Sequence, residues 1–257
     1  MEITQEQYER VAHCFPTQRG NVKLSNLQVL NAILYVAEHG SKWRGLPERF
    51  GRWHTVYMRM SRWAKSGVLD RVFEQLQRER IVSVKLEAVS VDSTIVKVHP
   101  DGTGALKKGD PKLIGKSRGG WTTKIHMVAA DDRTAVAFRV SPGQAHDAPQ
   151  GRRLLQSLGA QSQKRYLVMD RAYEGDETRQ LALDLGYTPV VPPKITRLDP
   201  WEYDLEVYKT RNRIERLFRR LKGYRRIFSR FDKLDIMFLA FITFALIHDT
   251  LRSVNTP

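Results

Sequence analysis

The chain has 257 residues, with 43 Lys or Arg against 28 Asp or Glu and a formal net charge of +15. That surplus calls for a polyanionic partner, nucleic acid first, with ribosome-like or membrane-surface binding as alternatives. With 41% hydrophobic residues it can bury a core, and its single cysteine, Cys14, excludes an internal disulfide and a thiolate metal cluster, which suits a reducing cytoplasm. The opening MEITQEQYER lacks the layout of a signal peptide. The longest apolar run, Ile236 to Ile247, is too short to span a bilayer and reads as a buried helix or a dimer face, so no membrane role is expected.

Residues 1–85 read as a small all-helical domain. Thr4 with Gln7 and Ser25 with Gln28 have capping-box spacing, and Leu27, Leu30, Ile33, Leu34 and Ala37 form a helical stripe ended by Gly40. A third helix, from about His54 to Ser66, turns Val56, Met60 and Trp63 inward and Arg59, Arg62 and Lys65 outward. A fourth runs from Leu69 to about Arg80. Short helices with outward bases suit a helix-turn-helix-like DNA reader, and equally a bundle used for packing or dimerisation; periodicity does not separate the two.

From Ala88 the period changes. AVSVDSTIVKV, WTTKIHMVAA and AVAFRVS predict three consecutive antiparallel strands. A helix from about Asp147 to Leu158, the strand RYLVMD, a helix from about Asp176 to Leu185, the short strand TPVVPP and a helix from Tyr208 follow. The order βββαβαβα predicts, over 86–257, an α/β fold: a ribonuclease H-like mixed five-stranded sheet flanked by helices. Between the first two strands, His99 to Gly120 holds six glycines and predicts a mobile loop whose Lys107, Lys108, Lys112, Lys116 and Arg118 reach DNA.

The segment from Lys209 to Arg230 has ten Lys or Arg residues and one acid, Glu215. At about 100° per residue, Tyr208, Arg211, Glu215 and Lys222 fall in one polar stripe between a core face, Ile214, Leu217, Phe218 and Leu221, and a basic face that includes Arg216 and Arg219. An acid there can hold a metal while arginines grip phosphates; alone, the segment also reads as a solvated basic helix. Asp92 sits inside the first strand, where an ionisable group is costly unless paired or metal-bound, and Asp170 ends the fourth. Those strands are neighbours in a sheet of this order, and Glu215 arrives over its edge. Three such oxygen donors suit Mg²⁺ or Mn²⁺ at a phosphodiester. Lys124 and His126 share an orientation on the second strand, and His126, His146, Trp121 and Tyr173 read as structural, with Asp147 as a helix cap.

The motifs VDSTIVKVH, KKGD with IGKSRGGWTTKIH, GQAHD, LVMDRAYEGD and YKTRNRIERLFRRLKGYRRIFSRFDKL, with WRGLPERFGRWHTVYMRMSRW near the start, carry a resemblance along almost the whole chain. It resembles the DDE transposases of bacterial insertion sequences, insertion sequence five group, and Tyr208, Arg211, Glu215 and Lys222 match that group's Tyr-x2-Arg-x3-Glu-x6-Lys signature. The resemblance implies Asp92, Asp170 and Glu215 as catalytic and metal-binding residues, Mg²⁺ as cofactor with Mn²⁺ as substitute, and an N-terminal part that recognises terminal inverted repeats. The expected partners are double-stranded element ends and target DNA, bound by a homodimer or larger assembly at the bacterial nucleoid. The expected DNA contacts are Arg59, Arg62, Lys65, Lys124, Tyr208, Arg211, Arg216, Arg219 and Lys222. A catalytically silent DNA-binding derivative and a plain metal-dependent nuclease are the alternatives.

Overall fold

The structure, a computed structural model, describes residues 2–20, 22–83, 87–103 and 113–253. In chain order the helices are α1 (Gln5–Glu9), α2 (Asn26–His39), α3 (Trp53–Lys65), α4 (Val68–Ser83), α5 (Asp147–Leu158), α6 (Asp176–Asp184), α7 (Leu205–Lys209), α8 (Asn212–Leu221), α9 (Arg225–Phe228) and α10 (Asp235–Ser253). The strands are β1 (Ala88–Val98), β2 (Gly115–Ser117), β3 (Gly120–Ala129), β4 (Ala135–Pro142), β5 (Arg165–Met169), β6 (Tyr187–Val190) and β7 (Ser229–Arg230). They sort into two units, Met1–Glu79 with Val98–Asp110 and Leu221–Pro257, and Arg80–Lys97 with Pro111–Arg220.

The first unit is helical. Both expected capping boxes are present, at Thr4 and Ser25, and α2 ends on Gly40 with φ 66, its N–H returning to Val36 O. Val29, Leu30, Ile33 and Leu34 of α2 and Val56, Met60 and Trp63 of α3 are buried. The apolar run near the C-terminus is a buried helix: α10 packs on α2 and α3 and buries Phe238, Phe241, Ile242 and Phe244. α10 thus lies in the same unit as the N-terminal helices. A helix apolar on nearly every side must be covered all round, and the N-terminal helices supply the cover. No helix among the described residues is long and apolar enough to cross a membrane.

In the second unit β1 and β3 pair antiparallel, with Asp92 opposite Met127, and β3 and β4 pair antiparallel. β5 lies parallel to β1 with Val91 opposite Met169, and β6 lies parallel to β5. The order β2-β3-β1-β5-β6, with β4 beside β3, is the ribonuclease H-like arrangement. Among the described residues the sheet has more strands than the five expected. β2 forms inside the segment expected to be a loop, because Gly120, at φ 93, permits the tight reversal after Arg118 and Gly119 that pairs Lys116 with Trp121. Lys107, Lys108 and Lys112 lie outside the described residues. Val89, Val91, Val128, Leu154, Leu155, Leu167 and Met169 form the core between the sheet and its helices.

The helix expected from Tyr208 is two helices. Asp204 caps α7 by accepting from the Glu206 and Val207 N–H groups at 2.9 Å each, and the Thr210 hydroxyl donates to Val207 O at 2.6 Å. Arg211 N–H then reaches Tyr208 O at 3.0 Å and Ile214 N–H reaches Arg211 O at 3.1 Å, so the junction winds with i to i−3 bonds. This tighter turn means that Tyr208 and Glu215 do not share one helical wheel. Ile214, Leu217, Phe218 and Leu221 are buried as the wheel predicts, and Arg216 and Arg219 are exposed.

Candidate active site

Three elements meet where β5 ends beside the middle of β1. Because Val91 stands opposite Met169 in a parallel pair, Asp92 and Asp170 are the next residues on neighbouring strands. Asp92 is 7% exposed, and its Oδ1 accepts from Ser93 N–H at 2.7 Å. Asp170 ends its strand as the cap of a 3-10 turn, Arg171–Tyr173, accepting from Arg171 N–H. The next turn is held close because Gly151 of α5 has no side chain: a Cβ there would lie 2.5 Å from the ring of buried Tyr173. α7 packs against β5, and the segment leading to it is pinned by Trp201, whose Nε1 donates to Val191 O at 2.8 Å while the Arg179 and Arg197 guanidiniums lie 3.5 and 4.5 Å from its ring centre.

Arg211, at the junction of α7 and α8, bridges Asp92 and Glu215. Its Nη1 lies 2.5 Å from Asp92 Oδ2 and 3.1 Å from Glu215 Oε1. Burial pushes the Asp92 carboxyl up to about 6; Ser93 N–H and Arg211 oppose this, while Glu215 and Asp170 add to it. Burial also works against the charge of Arg211, but Asp92, Asp170 and Glu215 outweigh it and hold the guanidinium above its ordinary value. Each acid thus acts on a common point, and a positive charge already stands among them.

No group of three metal-ligating side chains among the described residues forms a ready metal cage. The donor chemistry nonetheless fits a hard cation: the donors are all carboxylates, one is buried, and the group is arranged around a cation, the guanidinium.

Beside this cluster stands a residue expected only as a helix cap. Asp147 is not the cap of α5 but its first residue, after His146, and its Oδ1 accepts from Ser93 Oγ at 2.8 Å and Lys124 Nζ at 2.9 Å. Lys124 also donates to Ala145 O at 2.8 Å. Lys124, expected at a DNA surface, is instead drawn inward by this acid, its side chain 13% exposed. His126 points the same way, 3.9 Å from Asp147, is fully buried against Ser141, and burial lowers its pKa to about 4. Asp147→Asn keeps the shape but removes the charge facing Lys124. We expect it to cost about 2 kcal/mol in urea unfolding, between an exposed and a fully buried pair, and to lower cleavage by loosening Ser93 beside Asp92. Unchanged unfolding would mean that the pair contributes nothing.

The other expected DNA contacts divide. Arg62 and Lys65 are exposed on α3, but Arg59 turns back and donates to Leu24 O at 2.9 Å, taking up a loop carbonyl ahead of α2, so it does not face outward as expected. Tyr208 is half-buried, with its phenol pKa raised by burial. Lys222 follows α8 and belongs to the first unit. Trp121, read as core, is 51% exposed at the start of β3 beside Lys116, whereas Tyr173 is buried as read.

Family comparisons agree with the motifs. Residues 3–73 match the family described as "Putative transposase of IS4/5 family", and residues 84–248 match the family "Transposase DDE domain". The chain is 33% identical over 125 residues, 48% of its length and 94% of the relative's, to a protein of Brucella ovis named "Putative transposase for insertion sequence element IS6501". It is 37% identical over 109 residues, 41% of its length and 83% of the relative's, to the uncharacterized protein y4sN of Sinorhizobium fredii. Among solved structures, the piggyBac transposase synaptic complex with hairpin DNA aligns over 98% of this chain and 72% of that one, with 11% identity and a TM-score of 0.49. The chain belongs to the DDE transposase family.

Proposed function

We propose that this transposase cuts the ends of an insertion sequence and joins the resulting 3′ hydroxyl to target DNA, with Asp92, Asp170 and Glu215 as its catalytic carboxylates. The observation that carries the reading is that Asp92 and Glu215 share one guanidinium while the charge of Asp170 acts on both Asp92 and Arg211, Asp92 being buried there at the cost of a raised pKa. A buried carboxylate beside two others has no folding purpose that an amide would not serve better. The three would hold Mg²⁺, or Mn²⁺ in its place, and bound metal would supply the Lewis acidity that activates an attacking oxygen and stabilises a leaving one. Asp92 lies inside β1 and Asp170 directly follows the neighbouring β5, so the rigid sheet would set their spacing, while Glu215 comes from α8 and Arg211 from the turn before it and would adjust to a scissile phosphate. Water serves as the first nucleophile and a DNA hydroxyl as the second, and no covalent enzyme intermediate is required.

The exposed arginines of α8 would grip the backbone beside the cut. Alanine at Arg216 or Arg219 should flatten the log-log salt dependence of DNA binding by about 0.9 for each phosphate no longer neutralised. Unchanged slopes in both variants would place the basic face elsewhere. Arg62 and Lys65, on the first unit, would contribute to reading the terminal repeats.

The test is a cleavage and strand-transfer assay on duplexes carrying the element's end and flanking DNA. Mg²⁺ or Mn²⁺ should give nicks at the element end and joined products, and Ca²⁺ should support binding with little chemistry. Cutting without regard to the element end would make the protein a nuclease, and binding without cutting would make it a silent DNA-binding derivative.

A further inference from the structure

The second unit presents two apolar side chains that the chemistry above does not use. Ile195 and Leu198 are 97% and 102% exposed, the highest values for a large apolar residue among the described residues. A single exposed leucine is ordinary. These two differ because the turn that carries them is fixed. Arg197 N–H returns to Lys194 O at 3.1 Å, Lys194 Nζ lies 3.0 Å from Glu174 Oε1, and Arg197 pairs with Glu174 at 3.2 Å and with Asp176. The Arg197 guanidinium also lies on the Trp201 ring. A turn ordered in this way has already lost the freedom that binding would otherwise cost it.

The segment after the turn indicates the partner. Residues 198–206, LDPWEYDLE, hold four acids and no base, and Asp199, Glu202, Asp204 and Glu206 are all exposed. In a chain of net charge +15 this is a local reversal of sign. It repels phosphates, so the apolar pair is not a wedge for DNA. A basic protein surface with an apolar recess would match it.

The first unit carries such a surface. Residues 42–52 hold four bases, Lys42, Arg44, Arg49 and Arg52, against one acid, Glu48, and all five are exposed. A recess of about 490 Å³ lies here, lined by Arg44, Leu46, Glu48, Arg52, Trp53 and His54. Leu46 is buried and Trp53 half-buried, which gives the recess apolar walls beside its basic side chains.

We propose that the turn of one copy docks, through Ile195 and Leu198, in this recess of a second copy of the chain, with Asp199 and Glu202 meeting Arg44 and Arg52. The inference rests on the reading of the protein as one that acts on DNA, because so small a contact needs DNA to gather two copies.

The test places a photoreactive benzophenone on Leu198→Cys in a full-length Cys14→Ser chain, bound in Ca²⁺ to duplexes of the element end. Heavy-isotope and ordinary copies are mixed. Illumination should give adducts that join one copy of each kind, attached within residues 42–54. Arg44→Glu with Arg52→Glu should lower their yield about tenfold, and adding Asp199→Lys with Glu202→Lys to the same chain should restore it. Ile195→Ser with Leu198→Ser alters only exposed positions. That pair should remove the complex holding two element ends and leave single-end binding and Mg²⁺-dependent nicking as they were. Circular dichroism checks the fold of each variant. Adducts within one copy, adducts to DNA, attachment outside residues 42–54, or no adduct on bound duplex overturn the inference and leave the transposase reading intact. Two-end complexes that survive in the folded serine variant do the same. A chain that binds no element end sinks both readings.

Discussion

Replacing Asp92 with Asn is expected to make the protein inactive and more stable at once. The buried carboxyl, raised to about 6, is largely ionised at pH 7, and the fold works against that charge. A group whose folded pKa lies above its unfolded value lends its full stability only below the unfolded value, near 3.8, and loses it as pH rises through about 6. An amide of the same shape escapes this penalty, so Asp92→Asn should gain about 1 to 3 kcal/mol at pH 7, a range in which the pairing with Arg211 is already set against burial. The same change removes a donor that a divalent cation would need, and cleavage should fall on the order of 10³-fold or more. Asp170→Asn and Glu215→Gln should lose activity alike, with DNA affinity nearly unchanged in all three. Full activity in any one would sink the assignment. An Asp92→Asn chain that is both inactive and less stable would mark Asp92 as a structural acid.

What was legible in the sequence was what local pattern governs. Capping boxes at Thr4 and Ser25, the inward face of α3 and the apolar face of α8 depend on neighbours three or four residues away, and all are in the structure. Strand order was legible because an antiparallel meander followed by crossovers admits few arrangements, and that order alone brings Asp92 beside Asp170. Pairings between residues distant in sequence were not legible. Arg59 looks outward on a helical wheel, yet its long side chain reaches Leu24 O, 35 residues back. Lys124 looked like a base for DNA because nothing near it in sequence announces Asp147. The break between α7 and α8 escaped because Thr210 competes for a backbone carbonyl through its own hydroxyl, an effect that hydrophobic periodicity cannot register. The apolar stretch of α10 left two readings open, and only its packing on α2 and α3 decides for a buried helix.

Arg211 supports the second large prediction, because one guanidinium nitrogen is shared by Asp92 and Glu215 where a cation is expected to act. Replacing it with Met keeps much of the side chain's bulk and removes the charge. Without divalent cation, three carboxylates would then face one another unopposed, and Asp92 would be pushed further above its ordinary range. A fully buried pair broken in this way costs about 3 to 5 kcal/mol. Here the Arg211 side chain is 25% exposed and that of Glu215 48%, so solvent screening lowers the expected loss to about 2 kcal/mol. Mg²⁺ should restore most of that loss, and the stabilisation it gives Arg211→Met should exceed the one it gives the unaltered chain, since no guanidinium competes for the carboxylates. Cleavage should remain impaired at saturating Mg²⁺, because Arg211 is also the group placed to meet the scissile phosphate. Thermal unfolding of both chains in EDTA and across a Mg²⁺ titration checks this directly. If Arg211→Met unfolds like the unaltered chain in EDTA and gains no more from Mg²⁺, the guanidinium does not stand where a metal acts, and the convergence of the three acids must be explained without one.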